Sequence, residues 1–299
     1  MDRWKNGIGK EFVDHLLKWG RSGNGLVISE SPFGKTNEGL LDLRGLNFDL
    51  RMELLRVEFK PADFGKARFK GARIELCTFT DSLWEGVDLT DFVESGSTYF
   101  GCHFAKCSFQ AALIGYRGSR FVQCTFVQCD FKSASFIRPE FDDCVFDSDK
   151  LYGCDFFGSS FERCKFSGTM EDVWFRGGFP LPEFETKFGH PRPNRMLQVS
   201  FEEANLLETT YSDQCDLSTV KIPNTGKYAL LNNWPHRLLE LKKQAESWPT
   251  KEQKMAYLLV DIYIDHAANQ HWFLLNIEDL RCYCKTDNVD LIWRTLTQQ

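Results

Sequence analysis

The sequence predicts an all-β solenoid with a helical segment at each end, and three observations lead there. Phe121, Phe126, Phe131, Phe136, Phe141, Phe146, Leu151, Phe156, Phe161 and Phe166 occupy every fifth position without a gap. The residue two places earlier is small in most of these repeats, as Cys124, Cys129, Ala134, Cys144, Cys154, Ser159 and Cys164 show. The flanking segments lose this period and space their apolar residues as helices do. A helix face recurs every three to four residues and a strand face every two. A sustained period of five therefore calls for one short strand and one corner per repeat, stacked in successive coils.

In chain order, residues 1–40 form an N-terminal cap. Within it, 8–20 read as a short amphipathic helix with Phe12, Leu16, Leu17 and Trp19 on the apolar side and Gly20 as its stop. The repeat spans 41–222. Its first phase runs Leu54, Phe59, Phe64, Phe69, Ile74, Phe79, Trp84, Leu89, Tyr99, Phe104, Phe109 and Ile114, and only Glu94 breaks it. Two extra residues between Ile114 and Phe121 predict a bulge or corner loop. Pro139 suits a corner, where no amide hydrogen is needed, and Asp149 marks an irregularity. After Phe166 the pattern stops, so 169–198 reads as an inserted loop; it resumes at Phe201, Leu206 and Tyr211 and slips by one to Leu217 and Ile222. Residues 223–299 form a helical module. Its helices are expected over 235–247, with Leu238, Leu239 and Leu241 inward, from Thr250 onward, over 278–284 and over 288–296. Gln253 stands three after Thr250 as in a capping box. Met255, Leu258, Leu259, Ile262 and Tyr263 make the apolar stripe of that second helix.

Strings such as KGARI, FAKCSF, FVQCTF and SFEEANL resemble the pentapeptide-repeat family, over about three-fifths of the chain. The resemblance implies a right-handed quadrilateral β-helix, with one pentapeptide per face and about twenty residues per coil. Seven coils at about 4.8 Å each would give a rod roughly 30–35 Å long. The family serves many roles, so the implication concerns fold. A more distant similarity, to the quinolone-resistance pentapeptide proteins, implies a DNA mimic that protects topoisomerases, and dimerisation through C-terminal elements.

The composition excludes several classes. The formal net charge is -6 over 299 residues, and no basic footprint for direct nucleic-acid binding stands out. No apolar run approaches the eighteen or so residues of a membrane span, and the N-terminus lacks the apolar core of a signal peptide, so a cytoplasmic location is expected. Of eleven cysteines, nine (Cys77, Cys102, Cys107, Cys124, Cys129, Cys144, Cys154, Cys164 and Cys215) hold the small inward position, where a reduced thiol packs as a small hydrophobe. Cys282 and Cys284 lack a second pair, and His266 and His271 sit too loosely upstream for a zinc site. No Walker, GxGxxG, HExxH or Gly-x-Ser-x-Gly motif is present, so neither a cofactor nor catalytic residues are expected.

Candidate partner-binding residues come from two sources. The insertion carries Trp174, Phe175, Phe179, Phe184 and Phe188 with Arg176, Arg192 and Arg195, the residue types that anchor interfaces; packing back over the rod is the alternative for its aromatics. Three acidic stretches free of Lys and Arg carry Glu85, Asp91 and Glu94, then Asp142, Asp147 and Asp149, then Glu202, Glu203 and Glu208. On a coil of twenty, Arg68 should meet Asp88, Asp130 should meet Lys150, and Asp143 should meet Arg163. The expected function is that of a non-enzymatic bacterial scaffold that neutralises or shields a protein partner, such as a toxin immunity protein. The alternative is a DNA mimic bound to DNA gyrase or topoisomerase IV. The helical module serves as cap, partner surface or homodimer contact.

Overall fold

Most repeats contribute a strand of two or three residues, or on one side a single bridge, to a parallel ladder, and the ladders form the sides of a four-sided rod. The computed structural model describes residues 3–20, 22–48, 52–148, 150–178, 192–283 and 289–298. The first face starts at Leu26–Ile28 and continues through Val57–Phe59, Thr78–Thr80 and Thr98–Phe100 to Ser160–Glu162. The second runs from Leu41–Asp42 to Ser200–Leu207, and the fourth from Glu53–Leu55 to Thr210–Ser212. The third is a ladder of single bridges from Asn47 through Arg68, Asp88, Ser108 and Asp130 to Lys150.

The register explains the period. Phe121 pairs with Phe141 and Phe141 with Phe161, a step of twenty residues per coil. Tyr99 pairs with Phe121, so the coil between them is two residues longer. The extra length forms the expected corner loop, and Arg117 in it folds back onto Glu75 at 3.2 Å. Corners are turned by a left-handed residue at every fifth position: Gln123, Gln128, Ser133, Arg138, Asp143 and Ser148 all have φ between 52 and 65°. A non-glycine residue there costs about 1–2 kcal/mol, which the buried rungs offset.

Those rungs are stacked rings. Phe59, Phe79, Tyr99, Phe121, Phe141 and Phe161 lie with centroids 4.6–5.0 Å apart on the first face. Phe64, Trp84, Phe104, Phe126, Phe146, Phe166 and Phe201 line the second. Each buried ring contributes about 1.5–3 kcal/mol by leaving water. The nine inward cysteines are buried and free, and all but Cys215 bond through the thiol to the rung carbonyl one coil earlier, as Cys107 Sγ does to Trp84 O at 2.9 Å and Cys154 Sγ to Phe131 O at 3.0 Å. Burial pushes the Cys77 thiol up to about 12, so it stays protonated.

The repeat does not stop at Phe166. Phe175 pairs with Phe156, stacks on it at 5.0 Å and on Tyr211 at 5.7 Å, and is fully buried. The phase slips by one residue: Met170 takes the rung after Phe166, with Val173 as the small position before Phe175. Part of the expected insertion is therefore another coil. Residues 179–191, including Phe179, Phe184 and Phe188, lie outside the described residues, as do Asp149 and Cys284. The chain regains the rod where Asn194 Oδ1 accepts from the amides of Phe161 and Met196.

Both ends are covered. Helix α1 (Gly7–Gly20) buries Val13 and Leu16, while Trp19 points outward, 43% exposed. Ahead of it, Arg3 pairs with Asp42 at 2.6 Å and Trp4 Nε1 donates to Arg44 O at 2.8 Å. At the other end, an antiparallel pair, Tyr228–Leu231 with Phe273–Asn276, brackets α2 (Trp234–Ala245) and α3 (Thr250–Ala267), with α4 (Ile277–Tyr283) and α5 (Val289–Thr297) after it. The pair was not evident in the sequence. Leu239 and Leu258 are exposed, contrary to expectation, whereas Leu238 and Leu241 on α2 and Leu259 and Val260 on α3 are buried. There is no capping box: Pro249 is the N-cap, and Gln253 Nε2 donates to Glu246 O at 3.3 Å.

Candidate partner-binding site

The acidic stretches do not line the rod. Five-residue steps carry consecutive acids round its sides: Glu85 lies on the second face, Asp88 on the third, and Asp91 at the left-handed corner after it. Glu94 belongs to no surface. It takes the fourth-face rung, fully buried, and accepts from Ser97 N at 2.9 Å, Gly115 N at 3.0 Å and Ser119 Oγ at 2.7 Å. Burial pushes its carboxyl up to about 7 against those bonds. As a partner-binding residue Glu94 is thus corrected to a core residue that ties the wide corner to the rod. Phe175 is corrected for the same reason.

Many of the other acids meet bases. Arg68 meets Asp88 at 3.6 Å, Lys150 meets Asp130 at 3.9 Å, and Arg163 meets Asp143 at 2.8 Å, so the three expected ladder pairs are present. Arg163 also holds Asp142 and Glu162. Asp147, Glu202 and Glu203 do come together, with Lys165, Ser167 and Ser200, in an open hollow of about 420 Å³ on the second face. That hollow satisfies itself: Ser167 donates to Asp147 at 2.6 Å, and Glu202 has Ser200 at 2.8 Å and Lys221 at 3.4 Å. The Ser200 hydroxyl and then Lys221 hold the Glu202 carboxyl below its usual value. Arg192 is turned inward to Ser160 at 3.0 Å and Glu162 at 3.3 Å, whereas Arg195 is exposed.

The remaining candidates meet where the helical module joins the rod. Trp174 and Glu208, with Asp172, Thr210, Ile262, Tyr263, His266 and Tyr283, line a cleft of about 150 Å³. The module is locked across the last coil by polar side chains. Gln270 brackets Cys215, accepting from its amide at 2.9 Å and donating to its carbonyl at 2.7 Å. Asn276 Nδ2 donates to Leu206 O at 2.6 Å, and Asp279 Oδ1 accepts from Glu208 N at 2.9 Å. These bonds occupy backbone groups that an open solenoid end would leave as a sheet edge. Phe273 meets Tyr211 edge-on at 5.9 Å and stacks on Trp234 at 4.4 Å. His266 packs edge-to-face with Trp174 at 4.9 Å, and Arg176 lies over the same indole at 4.4 Å while pairing with Asp155 at 3.0 Å. Gln270, Asn276 and Asp279 left no signal in the sequence beyond their place in a helical module.

A ladder of five-residue steps on four faces, with a small residue two before each rung, decides the architecture. The chain has the pentapeptide-repeat fold. No family model matches it, and no curated protein matches it. Among solved structures it is similar to HetL, a pentapeptide repeat protein involved in heterocyst differentiation regulation from the cyanobacterium Nostoc sp. strain PCC 7120. Identity there is 11% and the TM-score 0.42, over 60% of this chain and 72% of HetL. It is also similar to QnrB1, a plasmid-mediated fluoroquinolone resistance protein, at 13% identity and a TM-score of 0.26, over 58% of this chain and 92% of that one. Rfr23, a pentapeptide repeat protein of the cyanobacterium Cyanothece 51142, matches at 8% identity and a TM-score of 0.23, over 44% of this chain and 64% of Rfr23. No helix among the described residues is long and apolar enough to cross a membrane, and none of their His, Cys, Asp and Glu side chains group to hold a metal ion. In this pentapeptide-repeat rod the interior is filled by rungs, so ligand-sized space lies on its surface and at the junction with its helical module.

Proposed function

We propose that this chain is a non-catalytic protein-binding scaffold whose partner docks at the junction of rod and helical module. The observation that carries the reading is the open cleft there, which gathers Trp174 and Glu208 with two tyrosines, whereas in the larger hollow on the second face Asp147 and Glu202 are already held by Ser167, Ser200 and Lys221. The reading extends to neutralising or shielding the partner, as an immunity protein does to its toxin, because a rigid rod blocks a surface by occupying it. An acidic line down the rod would support mimicry of DNA toward gyrase or topoisomerase IV. The winding of the acids and their pairing with Arg68, Lys150, Arg163 and Lys221 favours the scaffold instead.

The test is capture from native host extract on the immobilised full chain, followed by reconstitution with the purified partner. A stoichiometric complex in which the partner loses its activity, with gyrase supercoiling left unaffected by the chain, is the expected result. Inhibition of supercoiling by the chain alone would replace this reading with the mimic.

A further inference from the structure

The junction cleft contains an electrostatic arrangement not found elsewhere among the described residues. Glu171 pairs with Leu207 and Trp174 with Thr210, so Asp172 stands over Glu208 one coil apart at the same corner. Like charges on directly neighbouring strands, about 4.8 Å apart, destabilise a sheet. Two other acid pairs of this kind carry bases: Asp42 over Asp63 has Arg44, and Asp142 over Glu162 has Arg163 and Arg192. Neither Asp172 nor Glu208 has an ion-pair partner among the described residues. The same cleft is walled by Trp174, Tyr263 and Tyr283, with His266 at its rim. Tyr283 hydrogen-bonds the Glu208 carboxylate, and its phenol is pushed up to about 12, by burial first and then by Glu208 and Asp279. Aromatic faces beside carboxylates attract organic cations, and Arg176 over the Trp174 indole is an internal instance of that attraction.

The geometry points to a binding site for one cationic side chain, a lysine or arginine of the partner protein, between the Asp172–Glu208 pair and the rings of Trp174, Tyr263 and Tyr283. A cleft of about 150 Å³ takes the end of one side chain and little more. The assignment rests on the scaffold reading and supplies its chemistry. The partner presents a basic residue at the centre of its interface, and the cation relieves the repulsion of the stacked acids.

The test uses the full chain and small probes, Nα-acetyl-lysine methylamide and Nα-acetyl-arginine methylamide, with the Nε-acetylated lysine compound as the neutral control. Binding is followed by NMR on the Trp174 indole signal, assigned by its loss in Trp174→Phe. Both cationic probes should shift that signal saturably and the neutral one should not. Asp172→Asn with Glu208→Gln should weaken binding by about tenfold or more, while the double variant melts at the same temperature or higher because a repulsion is gone. An equal shift by the neutral probe, undiminished binding in the double variant, the lack of any saturable shift, or a lowered melting temperature would each overturn the assignment. Partner capture separates the two readings. A partner held equally well by the double variant leaves the scaffold and removes the cation site, whereas normal probe binding without any partner does the reverse.

Discussion

At the residue scale, Glu94 is the most consequential side chain in the rod. It stands where the period asks for a large apolar residue and instead supplies one carboxylate to three donors, two of them at the wide corner. Its carboxyl rises from 4.5 to about 7 on folding. Between those values the folded state holds a proton that the unfolded chain has lost. Its contribution to stability is therefore complete below about pH 4.5 and is lost as pH rises through about 7, a change of about 3 kcal/mol. Asp279, pushed up to about 6 by burial, acts with the same sign. Denaturant unfolding of Glu94→Gln across pH 4.5–7.5 should show a flatter pH dependence than the parent; an unchanged slope would contradict this account of the corner. The sequence already marked Glu94 as the single break in the period, which assigns it to the interior. Its membership of an acidic run pointed to the surface, and on a solenoid the period decides, because each position's direction is set by its place on the coil.

At the element scale, the informative difference is a one-residue slip. The strand Lys165–Glu171 runs on from the second face toward the third, placing Met170 four residues after Phe166, and Phe175 follows in the new phase. A strict count of five loses the coil there, although Met170, Val173 and Phe175 keep the large–small–large order. Phe175→Ala should cost about 3–5 kcal/mol in chemical denaturation, as for any fully packed ring. A cost below about 1 kcal/mol would mean the residue belongs to a surface loop after all. The corners were legible only in part. Glycine signals a left-handed corner, but Gln123, Gln128 and Ser133 adopt it without any mark in their chemistry. The helices were legible from their apolar spacing. The antiparallel pair Tyr228–Leu231 with Phe273–Asn276 was not, because its two strands are separated by two helices and neither shows an alternating pattern.

At the scale of the whole molecule, charge and shape divide the labour. Coils of twenty residues turn a run of acids into a ring, and bases one coil away neutralise several of them, so among the described residues the flanks of the rod carry no continuous line of one sign. The register puts Asp172 and Glu208, which have no basic partner among the described residues, one above the other at the junction with the helical module, which adds the tyrosines and His266. Of the candidate site, Trp174 and Glu208 were visible in the sequence as an aromatic in an irregular segment and an acid in an acidic stretch. Their meeting with Tyr263 and Tyr283 depends on how the module docks, which hydrogen bonds from Gln270, Asn276 and Asp279 fix and which no local pattern encodes.

The most direct test places a photo-crosslinking side chain at His266, on the rim of the cleft, and separately at Glu85, exposed on the second face, and irradiates each full-length protein in host extract. One discrete partner adduct is expected from position 266 and none from position 85. An adduct from 85 with none from 266 would place the interface on the flank of the rod and contradict docking at the junction.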